Sequence, residues 1–417
     1  MKKSLLILLF TCWALFFAAF RPVMPFAAET AAFPDGTPVT GGRILMGTIG
    51  EPSNLIPYMA SDSASGEITG LLYVAPLKYD KDLNVVPWAA ASYEVLEGGR
   101  LLRFVLRDDI RWEDGVPLTA DDVEFTYKLM IDPKTPTAYS GDFLAIESFK
   151  KTGRLSFEVR YAKPFARSLM TWMGAILPKH VLEGQDIMTT PVARKPIGAG
   201  PYRLAKWDAG SMLTLTASDT YFEGRPNLDE VVYRIIPDPS TMFLELKAGK
   251  LDMMSLSPQQ YLRQTQGPQW ERDWRKYRYL SFSYTFLGFN LEHPFFKDVR
   301  VRRAISMAID RQSLIDGVLL GQGVPTVGPY KPGTWAYNDK LTPVRQDVDE
   351  ARRLLDEAGW KKNKDGLLER DGKPFLFTIL VNQGNDSRIK AAIIIQSQLK
   401  ALGITVHIRT VEWAAFI

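Results

Sequence analysis

Apolar and polar residues alternate along several stretches of the chain and give way to helical spacing between them. Leu102, Phe104 and Leu106 alternate with Arg103, Val105 and Arg107, a period-two pattern that predicts a half-buried strand. Glu113-Asp114-Gly115 then supplies a turn, because Asp and Gly tolerate the backbone angles of a sharp reversal. Thr119 followed by Asp122 resembles a capping box, Asp121 and Asp122 favour the positive end of a helix dipole, and Val123, Tyr127 and Met130 share one face. Residues 100–130 thus predict a strand, a turn and a capped helix, and their acids read as caps and turn formers rather than an acid/base pair.

The same reading extends along the chain. Gly42 to Gly47 predicts a short strand before the loop Glu51-Pro52-Ser53-Asn54-Leu55-Ile56-Pro57, whose prolines fix the exit direction. Leu77 and Tyr79 precede a polar turn at Asp80 to Asn84, and Leu155, Phe157, Val159 and Tyr161 alternate as a further strand. Pro178-Lys179-His180 predicts a short helix, with His180 a surface or packing histidine rather than a metal ligand, since no partner spacing surrounds it. Pro196-Ile197-Gly198-Ala199-Gly200-Pro201-Tyr202 marks a constrained backbone, and its GxG lacks the third glycine and helix start of a phosphate loop. Met212 to Leu215 and Val231 to Ile236 predict strands, and Ser240 to Ala248 a helix ended by Gly249. The aromatic run Leu280 to Phe289 predicts a strand that ends at Asn290.

Asp298 starts a helix with Val301, Ala304, Ile305, Ala308 and Ile309 at helical period, its arginines solvated or paired with nearby acids. Asp347 and Glu350 start another, with Gly359 as terminator. Phe375, Phe377, Ile379 and Val381 then form one strand face, Ser387 to Leu402 is helical, and Ile404, Val406 and Ile408 begin a second strand. Strand, crossover helix and strand predict a right-handed parallel βαβ unit. It places Asn382-Gln383-Gly384-Asn385 at the carboxyl end of a parallel strand, where ligands bind in open α/β sheets, although simple loop chemistry accounts for the same residues.

With 417 residues, 46% hydrophobic and 24% charged, the chain has enough material for two or more domains. Lys2-Lys3 and the apolar run Leu5 to Phe20 read as a secretory leader of residues 1–28, with cleavage best placed after Ala28 and an uncleaved anchor as the alternative. Removing it takes Lys2, Lys3 and Arg21 from a formal charge of +4 and leaves +1, which gives no electrostatic footprint for nucleic acid. The one cysteine, Cys12, lies inside that leader, so the exported chain has neither a disulfide nor a thiolate and relies on a large packed core.

Enzyme motifs are missing: there is no GxSxG, HExxH or GxxxxGK[ST], and His180, His293 and His407 are scattered. An exported hydrolase with an unrecognised carboxylate site is the alternative reading. Five segments, in order, instead resemble bacterial extracellular solute-binding proteins of family 5, which serve peptide and nickel ABC importers: EPSNLIP, RWEDGVPLTADDV, GAGPY with Ala199 where the family has Thr, RRAISMAID, and the final βαβ unit with GITVHIRTVEW.

The resemblance implies an α/β fold of the two-lobed periplasmic-binding-protein type (type II, Venus-flytrap-like) with an extra small subdomain. Lobe I would take residues 29–55 and 196–285, the subdomain 56–195, and lobe II 286–417. It also implies a periplasmic monomer that closes by a hinge on a peptide or similar small solute and delivers it to the permease of an ABC importer, with no cofactor, no metal and no nucleic acid. Candidate ligand-binding residues, each in a loop or at a strand end, are Glu51, Asn54, Asn290, Tyr330, Trp335, Asn385 and Trp413, with core cover as the other role for Trp335. Family chains continue past the last predicted strand, so the second lobe is expected to be incomplete here, and the acid that pairs with a peptide's amino group is expected beyond Ile417.

Overall fold

The computed structural model describes residues 38–416; the expected leader and Cys12 lie outside the described residues. Two compact units emerge, a larger one drawn from Thr37–Gln260, Phe289–Pro325 and Val344–Ile417, and a smaller one that includes Tyr261–Gly288 and Thr326–Pro343.

In the larger unit, strands Arg43–Thr48, Glu230–Ile235, Met212–Ala217 and Tyr202–Asp208 lie side by side in that order. The first pair is parallel and the others are antiparallel. Leu213, Leu215 and Ala217 bury one face, as the alternating pattern requires. Helix Pro239–Lys247 follows, capped by the Asp238 side chain, which accepts from the Thr241 N–H at 2.7 Å.

A second four-stranded sheet is antiparallel throughout, in the order Ala90–Leu96, Leu101–Leu106, Ser156–Tyr161, Ile146–Lys151. Phe104 stacks on Phe157 at 4.8 Å and Phe149 on Phe157 at 5.2 Å, with Trp172 tilted against all three rings. Helix Ala120–Ile131 covers this face, Tyr127 stacking on Phe149 at 5.2 Å. Its capping box forms as expected: the Thr119 hydroxyl accepts from the Asp121 N–H at 3.2 Å and Asp122 accepts from the Thr119 N–H at 2.8 Å. Asp122 also accepts from the Lys179 N–H at 2.9 Å, which docks the short helix Lys179–Leu182. His180 pairs with Asp114 at 2.7 Å, as a surface histidine would.

Gly198 and Gly200 explain the constrained GAGPY stretch. A Cβ on Gly198 would lie 2.0 Å from the Leu72 carbonyl oxygen, and one on Gly200 would lie 2.5 Å from that of Leu71. The absent side chains let this segment press on the end of helix Ser63–Leu72, where the Gly200 N–H donates to the Leu72 carbonyl at 2.8 Å. The Glu113 N–H donates to the Gly198 carbonyl at 2.9 Å, so two of the recognised segments meet here.

Helices Val299–Ala308 and Val348–Glu357 pack together through Val301, Ala304, Ile305, Ala351, Leu354 and Leu355, all buried. Strands Leu376–Asn382 and Thr405–Val411 pair in parallel, joined by helix Asp386–Lys400, which is the expected βαβ unit. Phe375 stacks on Trp360 at 4.2 Å, and Phe295 meets Phe375 edge-on at 5.2 Å.

The smaller unit departs from expectation. Residues 280–289 form no strand. Tyr279, Phe282 and Phe286 stand 76%, 64% and 71% exposed. A period-two pattern becomes a strand only where a neighbour accepts its backbone, and no ladder pairs this run among the described residues. Within the unit, Trp270 tilts against Trp274 at 5.8 Å and the Lys331 ammonium lies 4.6 Å from the centre of the Phe282 ring.

Candidate functional site

The loop after strand Arg43–Thr48 is held by polar side chains. Asp62, 4% exposed, accepts from the hydroxyls of Ser53 at 2.6 Å and Ser65 at 2.7 Å. Ser65 in turn accepts from the Ser53 N–H at 2.9 Å, which fixes the loop to the start of helix Ser63–Leu72. The Asn54 side chain accepts from the Ile56 N–H at 2.8 Å, a local turn bond.

Glu51 faces inward on partners far along the chain. One carboxylate oxygen accepts from the Trp207 indole N–H at 2.5 Å, and the other from the Gly210 N–H at 3.0 Å. Arg194 stands 3.5 Å from the same carboxylate and lays its guanidinium over the Trp207 ring, 3.8 Å from the centroid.

At the carboxyl end of the parallel pair, Asn385 caps helix Asp386–Lys400 by accepting from the Arg388 N–H at 3.0 Å. Asn382, 1% exposed, accepts from the Arg388 guanidinium at 2.8 Å, so one arginine bridges strand end and helix start. Gly384 adopts φ +80°, and a Cβ there would fall 2.4 Å from the Pro237 carbonyl oxygen. Beyond the second strand, the Trp413 ring lies flat enough on Gly50 that an added Cβ would sit 3.1 Å away. Phe416 stacks beside Trp413 at 6.3 Å and lies 5.8 Å from the Arg388 guanidinium. The Trp413 indole N–H is buried, with no hydrogen-bond partner among the described residues.

Glu51, Asn385 and Trp413 therefore share one neighbourhood, built from the loop after the first strand and the carboxyl end of the parallel pair. Asn54 borders it through its own turn. Asn290 does not join it: its side chain accepts from the Glu292 N–H at 3.0 Å in an exposed turn. Tyr330 and Trp335, 53% and 79% exposed, belong to the smaller unit. Sequence reasoning missed Arg194, Trp207 and Arg388. Asn382 was placed by its position at the carboxyl end of a parallel strand, without its arginine partner.

Elsewhere, burial pushes the Glu113 carboxyl up to about 7, with Arg203 opposing the shift and Asp114 adding to it. Among the described residues, no three of His, Cys, Asp and Glu gather in a way that would hold a metal ion. No described helix is long and apolar enough to cross a membrane.

Residues 84–417 match the family model of bacterial extracellular solute-binding proteins, family 5 Middle. The oligopeptide-binding protein AppA of Bacillus subtilis is 34% identical over 391 residues, 92% of this chain and 71% of that protein. Its structure in complex with a nonapeptide superposes with a TM-score of 0.83 at 34% identity, covering 91% of this chain and 76% of that one. NikZ of Campylobacter jejuni, in complex with Ni(L-His), gives 0.80 at 27% identity over 90% and 74%. These relatives are binding proteins, and the chain shares their α/β, two-lobed periplasmic-binding-protein fold. The chain belongs to family 5 of the bacterial extracellular solute-binding proteins.

Proposed function

We propose that the protein is the periplasmic substrate-binding component of an ABC importer. It works as a monomer, exported by the leader at 1–28, and delivers its solute to the permease subunits without catalysing a reaction. Peptides are the solute class, in keeping with the nonapeptide held by AppA. Residues 29–55 and 196–285 form one lobe, 56–195 a subdomain inserted into it, and 286–417 belong to the other lobe. Ligand favours the closed arrangement only through contacts absent from the open one, so affinity follows the contacts made across the cleft.

The observation that carries this reading is the convergence of Trp413, with its unpartnered buried indole N–H, on Gly50 beside the Asn382-Arg388 bridge. An aromatic wall beside a part-buried arginine–asparagine bridge suits a peptide, whose side chains need apolar contact. Thermal unfolding with a mixture of di- to pentapeptides tests it, with nickel plus histidine as a separate arm. A peptide at ~100 times its dissociation constant stabilises the native state by about 2.7 kcal/mol. A rise with peptide alone is expected; a rise with nickel-histidine alone, or with neither in a chain that folds, overturns the peptide reading.

A further inference from the structure

We propose that Arg194 is an anion-binding residue of this site and takes a carboxylate of the bound solute; the inference rests on the peptide reading given above. The guanidinium is held in place more firmly than it is satisfied. Its central carbon lies 3.8 Å from the centre of the Trp207 ring, a cation–π contact that anchors the guanidinium. Glu51 is its nearest acid, yet at 3.5 Å that contact is an ion pair without a hydrogen bond.

Glu51 is already engaged. Its two oxygens accept from the Trp207 indole at 2.5 Å and the Gly210 N–H at 3.0 Å. The carboxylate therefore orients Trp207 and neutralises part of the local charge, and leaves the Arg194 donors without an acceptor among the described side chains. The side chain is 55% exposed, open to an incoming group.

Position supplies the second line of argument. Arg194 reaches Glu51, and the preceding residue, Gly50, is roofed by the Trp413 ring. A guanidinium and an indole thus flank adjacent residues of one loop. A carboxylate is the planar acceptor whose two oxygens match a guanidinium fork, which an ammonium or a neutral amide does not. A peptide offers that group at its C-terminus or on an Asp or Glu side chain.

Isothermal titration of the full chain with three tetrapeptides tests the assignment: tetra-alanine as the free acid, its C-terminal amide, and an amidated peptide with one Glu. Arg194→Gln is expected to weaken one of the two carboxylate-bearing peptides about tenfold, as a charge-assisted bond implies. The amide without a carboxylate should stay within about twofold, a range well below one charged hydrogen bond. Whichever acid responds identifies the source of the carboxylate. Arg194→Lys keeps the charge without the fork and should fall between wild type and Arg194→Gln; it carries the test if Arg194→Gln does not fold.

Equal losses for all three peptides would reduce Arg194 to a structural clamp on Trp207 and overturn the proposal, as would no loss for any. Wild-type protein that binds none of the three would sink the peptide reading, and this inference with it.

Discussion

Two aromatic stretches of this chain share a pattern and end differently. Phe104 and Phe157 alternate with outward-facing neighbours, pair across adjacent strands and are fully buried. Tyr279, Phe282 and Phe286 sit in a run equally rich in aromatic residues, yet stand mostly exposed. Composition does not separate them. Each strand of the first stretch has neighbours that accept its backbone, and a helix with two side-chain caps lies over the rings; the second has no ladder among the described residues. Alternation describes a surface that is able to be buried, and pairing decides whether it is.

The sharpest break in that contrast is Phe104→Ala against Phe282→Ala. Emptying a fully buried, doubly stacked ring should cost about 3–5 kcal/mol, and the exposed ring no more than about 0.5 kcal/mol. Urea unfolding of both variants measures it, and similar costs would mean that the Phe282 run is packed after all. Next comes Gly198→Ala, whose Cβ would stand 2.0 Å from a backbone oxygen. We expect a loss of at least about 2 kcal/mol in the melting transition, since neither backbone segment is able to yield as a side chain does.

A smaller effect depends on pH. Burial raises the Glu113 carboxyl to about 7 from an ordinary 4.5, so its protonated form is favoured in the folded chain. The stabilisation it brings is complete below pH 4.5 and is lost as pH rises through about 7. Discounted for its partial exposure, the loss should be about 1–2 kcal/mol, and Glu113→Gln should flatten this part of the stability profile. The mildest change is Thr119→Ala, which removes one cap of the covering helix and should cost about 1 kcal/mol.

Much of the scaffold was legible because its signals are local. Thr119 and Asp122 lie one helical turn apart, and the Leu376–Asn382 strand and its crossover helix each declare their own period. The candidate site was legible only in part. Asn385 could be placed at a strand's carboxyl end, but its role as a helix cap leaves its oxygen bound to the backbone. Glu51 looked available as a loop acid, whereas its partners Trp207 and Gly210 stand 156 and 159 residues away, beyond any spacing rule. Arg194 was hidden likewise, because its acid partner Glu51 is remote in sequence. The Leu280–Phe289 strand failed for the converse reason: its pattern is local, and the neighbour that would complete it is not.

The parallel pairing of the first strand has a consequence for the order of assembly. Strand Arg43–Thr48 finds its partner only at Glu230–Ile235, and the bond from Gly42 to Asp229 spans 187 residues of chain. Every strand of the Ala90–Tyr161 sheet meets its neighbours within a far shorter span. Loop-closure entropy then favours the inserted sheet as the early nucleus, with the first strand waiting, unpaired, until the remainder returns to it. A chain built this way completes its first sheet late, and until then the edge that Glu230–Ile235 offers to the first strand stands open.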